Sequence, residues 1–441
     1  MIVIVGAGLA GLSAAYHLSG MPYRLYEREL EVGGLCRSYR KDGFTFDYTG
    51  HLLHFRQAEI KALVEGLLAG KLQKHTRQSF IYSHRTYTEY PFQVNTFGLP
   101  PEVVRECLMG FIATLTHPAS PAAVNGRSFK QWILDNLGEG MAKYFMVPFN
   151  EKLWQVPLDE LTSDWVSWLV PKPELKDVVN GALGIKDKAF GYNPSFLYPA
   201  HDGIRVLPES FLPGVDGVHY GMDLAEVDAK RHRALFSDRQ GGTHEAYYES
   251  LVSTIPIPEL VRRCRDFPAA LKEAAEGLRW VSVYNINLAV ARERVSDKHW
   301  IYFPEADYPF YRAGFPMNFS PSLGRAGCSS MYVEISHKPT ERQTAEQLIE
   351  RSCEGMERAG ILRPDDELVV ADVKDLRYAY VYFDRHRATA VPAILEELER
   401  RGIHSIGRYG RWEHTSMEDA IAQGKQLAVR LRSRAVGAAS A

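Results

Sequence analysis

No run of about 18 consecutive apolar residues occurs anywhere in the 441-residue chain, so no bilayer-spanning helix is expected. Neither sign of charge dominates. The 52 Lys and Arg stand against 54 Asp and Glu, a formal −2, which removes the electrostatic case for nucleic acid or an anionic membrane as a partner. Cysteine is scarce: Cys36, Cys107, Cys264, Cys328 and Cys353 are odd in number, far apart and without a CxxC. That pattern argues against a disulfide framework and against a metal site, and for reduced thiols in a cytoplasmic protein. No basic leader with a cleavage site precedes the first apolar run. Repeats and low-complexity stretches are missing as well, apart from "AVGAASA" from Ala435, a tail expected to fray. These absences leave a soluble, cytoplasmic globular protein as the expectation.

What the chain does have is aromatic weight, 23 Tyr and 20 Phe, and enough length for two or three domains. Its most informative motif is "MIVIVGAGLAGLSAAYHL". The continuous apolar run Ile2 to Val5 reads as a buried parallel strand, and Gly6-x-Gly8-x-x-Gly11 then opens a helix. Gly6 suits the tight turn, Gly8 admits a pyrophosphate to the backbone, and Gly11 allows close helix–strand packing. The helix N-terminus offers N–H groups and partial positive charge to phosphate. A second strand, "YRLYERE", presents Glu27, 16 residues after Gly11, where a carboxylate accepts ribose hydroxyls.

The stretch "DYPFYRAGFP", residues 307–316, poses a problem of charge. Arg312 stands among Tyr308, Phe310, Tyr311 and Phe315, and a guanidinium cannot shed its proton. Either a carboxylate of the protein pairs with it, or the anion arrives with a ligand.

Elsewhere the periodicity predicts strands in "QSFIYSHRTYTEYPFQ", "WVSVYNINLAV", "HWIYFP" and "SMYVEIS", and strand–turn–strand over 216–256 about "DRQGG". It predicts helices in "PEVVRECLMGFIATL", "SFKQWILDNLGEGMAKYFMVPFN", "TAEQLIERSCEGMERAG" and part of 161–190. A short strand, a Gly-rich loop and a final helix are expected in "HSIGRYGRWEHTSMEDAIAQGKQLAVRL".

"EVGGLCRSYRKDGFTFDYTGHLLHF" resembles the second cofactor segment of the flavoproteins that include amine oxidases, protoporphyrinogen oxidases and sugar-nucleotide mutases. Further motifs, "YPFQVNTFGLP", "FNEKLWQVP", "YNPSFLYPAHDGI", "HWIYFPEADYPFYRAGF", "YAYVYF" and "GRYGRWE", resemble those of UDP-galactopyranose mutases in order and spacing, the eukaryotic-type enzymes above all. The resemblance covers residues 2 to 430. It implies an α/β fold with a Rossmann-type, NAD(P)-binding-like FAD domain (1–75, 200–265 and 385–435), an inserted helical domain (100–190) and an antiparallel β-sheet substrate domain (76–99 and 266–384).

The resemblance also implies an isomerase. Pyranose and furanose forms of a nucleotide-diphosphate sugar interconvert without net redox, as N5 of the reduced flavin attacks the anomeric carbon. FAD, in its reduced form, is then the cofactor, a sugar nucleotide the substrate, and NAD(P)H or a reductase the source of electrons. FAD would lie along Gly6, Gly8, Gly11, Glu27, Gly33, Gly34, Arg37, Gly50, Leu224, Arg408 and Met417. His51, Arg312, Tyr380 and Arg408 would be catalytic. Substrate would meet Tyr90, Gln93, Phe145, Phe149, Trp154, Asn193, Tyr302, Tyr311, Arg312, Tyr380 and His414. On this view Arg312 clamps the diphosphate, and the ligand brings its anion. Taken without the resemblance, His51 is a core histidine.

Three positions depart from the family pattern: Leu169 replaces a second diphosphate-binding arginine, and His414 and Phe319 replace tyrosines. Lys172, Lys176 or Lys188 could offer a point charge in the arginine's place. Two rival readings stand beside the mutase: an FAD-dependent oxidase or desaturase of the amine oxidase or protoporphyrinogen oxidase type, and a binding module that has lost its chemistry.

Overall fold

The computed structural model describes residues 1–116, 127–166, 170, 172–186, 190 and 194–439. A parallel five-stranded sheet is built around Ile2–Val5. Its strand order is Ile403–Ser405, Ser250–Ser253, Ile2–Val5, Tyr23–Glu27 and His219–Tyr220. The central strand is apolar throughout because both faces are covered. Ile2 and Ile4 point into a core shared with the helix Leu9–His17 and the last helix, Met417–Ala439. Val3 and Val5 alternate to the other face, against Leu224, Val227 and Phe236 of a three-stranded antiparallel sheet, Asp223–Asp228, Arg233–Ser237 and Thr243–Tyr247.

The second large sheet has seven strands, in the order Leu368–Val381, Trp280–Val290, Ser329–His337, Arg312–Gly314, Trp300–Tyr302, Ser79–Ser83 and Thr86–Glu89. All neighbours are antiparallel except Trp300–Tyr302 with Ser79–Ser83. The chain therefore has the α/β architecture expected, a parallel sheet and a separate, largely antiparallel one.

Helices Pro101–Thr116, Phe129–Met141, Val147–Trp154 and Leu175–Leu183 form a third core with Phe92, Phe145 and Trp154 at its centre. The sequence "SFKQWILDNLGEGMAKYFMVPFN" is not one regular helix. Gly138, at φ +80°, kinks it, and a π-helical turn over Ala142–Met146 follows. Such a turn re-aims the residues after it, here Phe149 and Trp154. The tail from Ala435 differs from expectation, since the last helix continues through Ala439; alanine favours helix strongly enough to extend a turn that is already nucleated.

Candidate active site

The Gly6-x-Gly8-x-x-Gly11 turn is shaped partly by the protein and partly for something else. A Cβ on Gly11 would lie 2.0 Å from the Gly6 carbonyl oxygen, so that glycine is dictated by helix–strand contact. A Cβ on Gly8 would meet nothing within 4 Å. Gly8 is also the N-cap of Leu9–His17 and offers no side-chain cap to the helix's first N–H groups. Gly33 pairs with Gly8 in a single parallel bridge, and its N–H donates to the Ala7 carbonyl (2.8 Å), which brings the second glycine segment alongside. Just beyond it, Arg37 lies over the Tyr48 ring at 4.7 Å and has a buried Nε with no hydrogen-bond partner. An open glycine cradle, uncapped helix N–H groups and a guanidinium donor without an acceptor fit a pyrophosphate.

Glu27 lies at the neighbouring strand end, 6% exposed, its two oxygens accepting from the Ala7 N–H (2.7 Å) and the Glu29 N–H (3.0 Å). Each oxygen keeps a second lone pair for a ribose hydroxyl. Leu224 is buried, with its carbonyl accepting from Arg263 Nε at 2.5 Å. Met417 begins the last helix and its sulfur receives the Cys36 thiol at 3.6 Å. Arg408 donates to the carbonyls of Thr415 (2.8 Å) and Ala379 (3.3 Å).

A wall of rings leads away from this cradle. Phe145 stacks between Phe92 and Phe149, with 5.1 Å between centroids on each side, and Phe149 meets Tyr302 (5.4 Å) and Tyr311 (6.3 Å) edge-on. Tyr302 touches Tyr90 at 5.1 Å. Trp154 lies edge-on to Tyr380 (5.8 Å) and His414 (5.2 Å), and Arg408 is 5.6 Å from the Tyr380 ring. Tyr90 also lines a cavity of about 320 Å³ with Arg77, Asn95, Asp177, Lys186 and Phe190; Gln93 is buried beside it in sequence, at 3% exposure. That cavity takes in none of His51, Arg312, Tyr380 or Arg408. Asn193, Leu169 and Lys188 lie outside the described residues. Lys172 stands over the Trp132 ring at 5.5 Å.

Arg312 finds its anion inside the protein. Nε donates to Glu334 Oε2 (2.7 Å) and Nη2 to Oε1 (2.8 Å), a planar two-pronged pair. Glu334 is fully buried and also accepts from the Thr49 hydroxyl. The Arg312 guanidinium and the hydrogen bonds offset burial and hold the Glu334 carboxyl below its usual range. The expectation that a ligand supplies the only counter-charge is thereby corrected: Glu334 engages Nε and Nη2, and only the Nη1 side of the guanidinium lies outside that pair.

His51 belongs to the same group. Its Nδ1 is 3.1 Å from the Thr49 carbonyl, so Nδ1 carries the proton and Nε2 is left as an acceptor. Burial pushes its pKa down to about 4, so the ring is neutral at pH 7. Beside it, a Cβ on Gly50 would lie 2.2 Å from the Tyr332 hydroxyl. Glu334, Thr49 and Tyr332 were not singled out from sequence. Glu334 had a signal, as the one charged residue in "SMYVEIS". Among the described residues, no group of three or more His, Cys, Asp or Glu could hold a metal ion, and no helix is long and apolar enough to cross a membrane.

Residues 9–432 match the family described as flavin-containing amine oxidoreductases. The chain belongs to that family. FAD is its cofactor, and the cradle, Glu27 and Arg37 are the residues that fit it. The fold is similar to a crystal structure of reduced UDP-galactopyranose mutase, with a TM-score of 0.90 at 25% identity over 98% of this chain and 93% of that one. Sequence matches are shorter. They include a 4,4'-diapophytoene desaturase of Staphylococcus haemolyticus, 46% identical over 48 residues, and the mitochondrial protoporphyrinogen oxidase of Nicotiana tabacum, 30% over 101 residues. They cover 10% and 22% of this chain, and only 10% and 20% of those relatives.

Proposed function

We propose that this flavoprotein is a pyranose–furanose mutase acting on a nucleotide-diphosphate sugar. The observation that carries the reading is the whole-chain similarity to reduced UDP-galactopyranose mutase, which extends beyond the cofactor fold to the helical segment and the antiparallel sheet. Bound reduced FAD supplies a nucleophilic nitrogen for the anomeric carbon. The chain's own residues do the rest. The ring wall of Phe149, Trp154, Tyr302 and Tyr380 orients the sugar and excludes water. The Nη1 edge of Arg312 holds the leaving diphosphate, and His51 Nε2 takes a proton.

A second reading has its own support. With Arg312 already neutralised by Glu334, the pocket also suits a weakly charged substrate, as an oxidase or desaturase would require; enzymes of those names are the short sequence relatives. One assay separates the two. Dithionite-reduced protein is incubated with UDP-galactose and the UDP-sugars are resolved by chromatography, while oxidised protein is followed for oxygen uptake. Interconversion by the reduced form without oxygen uptake supports the mutase. Failure across a panel of UDP- and other nucleotide sugars, with flavin bound and reduced, removes it.

A further inference from the structure

One side chain joins the helix carrying Phe149 and Trp154 to the loop that leads into Tyr311 and Arg312. Lys152 Nζ lies 2.8 Å from the carbonyl oxygen of Phe303, 2.9 Å from that of Tyr308 and 3.4 Å from that of Phe310, and it also donates to the carbonyl of Glu305. An ammonium has three hydrogens, so four converging carbonyls satisfy it completely with no water needed. Burial pulls its pKa down to about 7 while the Glu305 and Asp307 carboxylates oppose that. The four carbonyl oxygens act in the same sense as those carboxylates.

This is not the behaviour of a lysine covering apolar surface with its stem, which would send its head group to water. Nor is it a surface ion pair, since every acceptor is main chain. The Glu305 carbonyl also accepts from the Tyr308 N–H at 3.3 Å, but a loop that turns four carbonyls toward one point places their partial negative charges together and needs a cation to offset them. Lys152 thus ties the loop to the helix Val147–Trp154, next to the strand Arg312–Gly314. Phe149, one turn before Lys152, meets Tyr302 and Tyr311 from the two strands that this loop joins.

We propose that Lys152 is a positioning residue: its carbonyl-caged ammonium sets the separation between the helix bearing Phe149 and Trp154 and the strands bearing Tyr302, Tyr311 and Arg312. The width of the ring-lined pocket depends on it. The functional half of this proposal rests on the mutase reading; the structural half does not.

The test is hydrogen–deuterium exchange on the full-length holoenzyme. In Lys152→Ala, amides of 303–312 exchange on the order of tenfold faster, while the parallel sheet around Ile2–Val5 is unchanged. Methylammonium chloride, whose cation fits the vacated cage, restores slow exchange; an equal concentration of sodium chloride does not. In reduced enzyme, KM for UDP-galactose rises roughly tenfold at unchanged kcat and falls again with methylammonium. Should the alanine variant not accumulate as a folded flavoprotein, Lys152→Met keeps the stem but has no donor, and it shows the same local rise without rescue. Wild-type exchange at 303–312 in either variant, a rise spread evenly over the chain, or indifference of Lys152→Ala to methylammonium overturns the proposal. Wild-type enzyme inert toward UDP-galactose counts against the mutase reading alone, because the exchange result still decides the role of Lys152.

Discussion

Arg312 and Glu334 sit directly opposite each other on adjacent antiparallel strands and form a two-pronged ion pair with N···O distances of 2.7 and 2.8 Å. Glu334 is fully buried, so removing Arg312 alone leaves a carboxylate in a dry site. Arg312→Ala is expected to destabilise the protein by about 3–5 kcal/mol. On the mutase reading it also costs at least about 3 kcal/mol in kcat/KM. Arg312→Lys keeps the charge but loses the fork, and stays strongly impaired. Urea unfolding and steady-state kinetics on reduced enzyme check both.

Glu334→Gln makes the opposite perturbation. It leaves Arg312 charged with only a neutral acceptor, so UDP should bind more tightly by on the order of tenfold, at a cost in stability of about 2–3 kcal/mol. Titration of UDP into oxidised protein, followed by flavin absorbance, decides it. Unchanged UDP affinity would mean that the ligand never reaches the Nη1 edge.

Gly8 and Gly11 should respond differently to alanine. The Gly8→Ala methyl meets no protein atom within 4 Å, so the apoprotein keeps its stability within about 1 kcal/mol while FAD affinity falls by at least about tenfold. Gly11→Ala drives a methyl into the Gly6 carbonyl and should cost about 3 kcal/mol or more, with or without cofactor. Thermal unfolding of apo and FAD-loaded forms distinguishes them. Acid precipitation should release the flavin from the pellet, as expected of a non-covalent cofactor.

His51→Ala should retain FAD and lose most turnover, because Nδ1 only tethers the ring to Thr49 and the working atom is Nε2. Full turnover in this variant returns His51 to the core. The same histidine shapes stability against pH. His51 and His299 are each pushed down to about 4 by burial, so between roughly pH 6.5 and pH 4 the unfolded chain binds more protons than the folded one. Stability then falls as the solution is acidified through that window. Asp47, raised by burial to about 6, acts in the opposite direction over much of the same range, but it is one group against two with comparable shifts. Urea midpoints at pH 7 and pH 4.5 should therefore drop on acidification.

The strand, glycine turn and helix at the start of the fold were legible because their logic is local. An apolar strand, a glycine turn and a helix follow one another within 17 residues, and each glycine reports its own steric demand. Arg312 was legible as a problem but not as a solution. Its aromatic neighbours are adjacent in sequence, whereas its partner stands 22 residues on and is brought opposite by strand register, which periodicity does not specify. Lys152 was invisible for a different reason: backbone carbonyls have no sequence signature, so a cage made of them looks like any loop. The π-helical turn before Phe149 likewise shifts that ring by an amount no regular helical spacing contains.

The packing of Leu9–His17 against the final helix also governs how the protein is made. Ser13 Oγ donates to the Ile421 carbonyl at 2.7 Å across 408 positions, and Ala10, Leu12 and Ala14 share a core with Ile421, Leu427 and Ala428. The glycine turn is synthesised well ahead of the helix that covers it, since Ser13 and Ile421 are 408 positions apart, so the apolar face of its helix stays bare until Met417–Ala439 has emerged. Closure of that sheet is a long-range event, slow by the usual dependence of folding rate on contact order. Burial of that helix face is thereby tied in time to the arrival of Met417–Ala439.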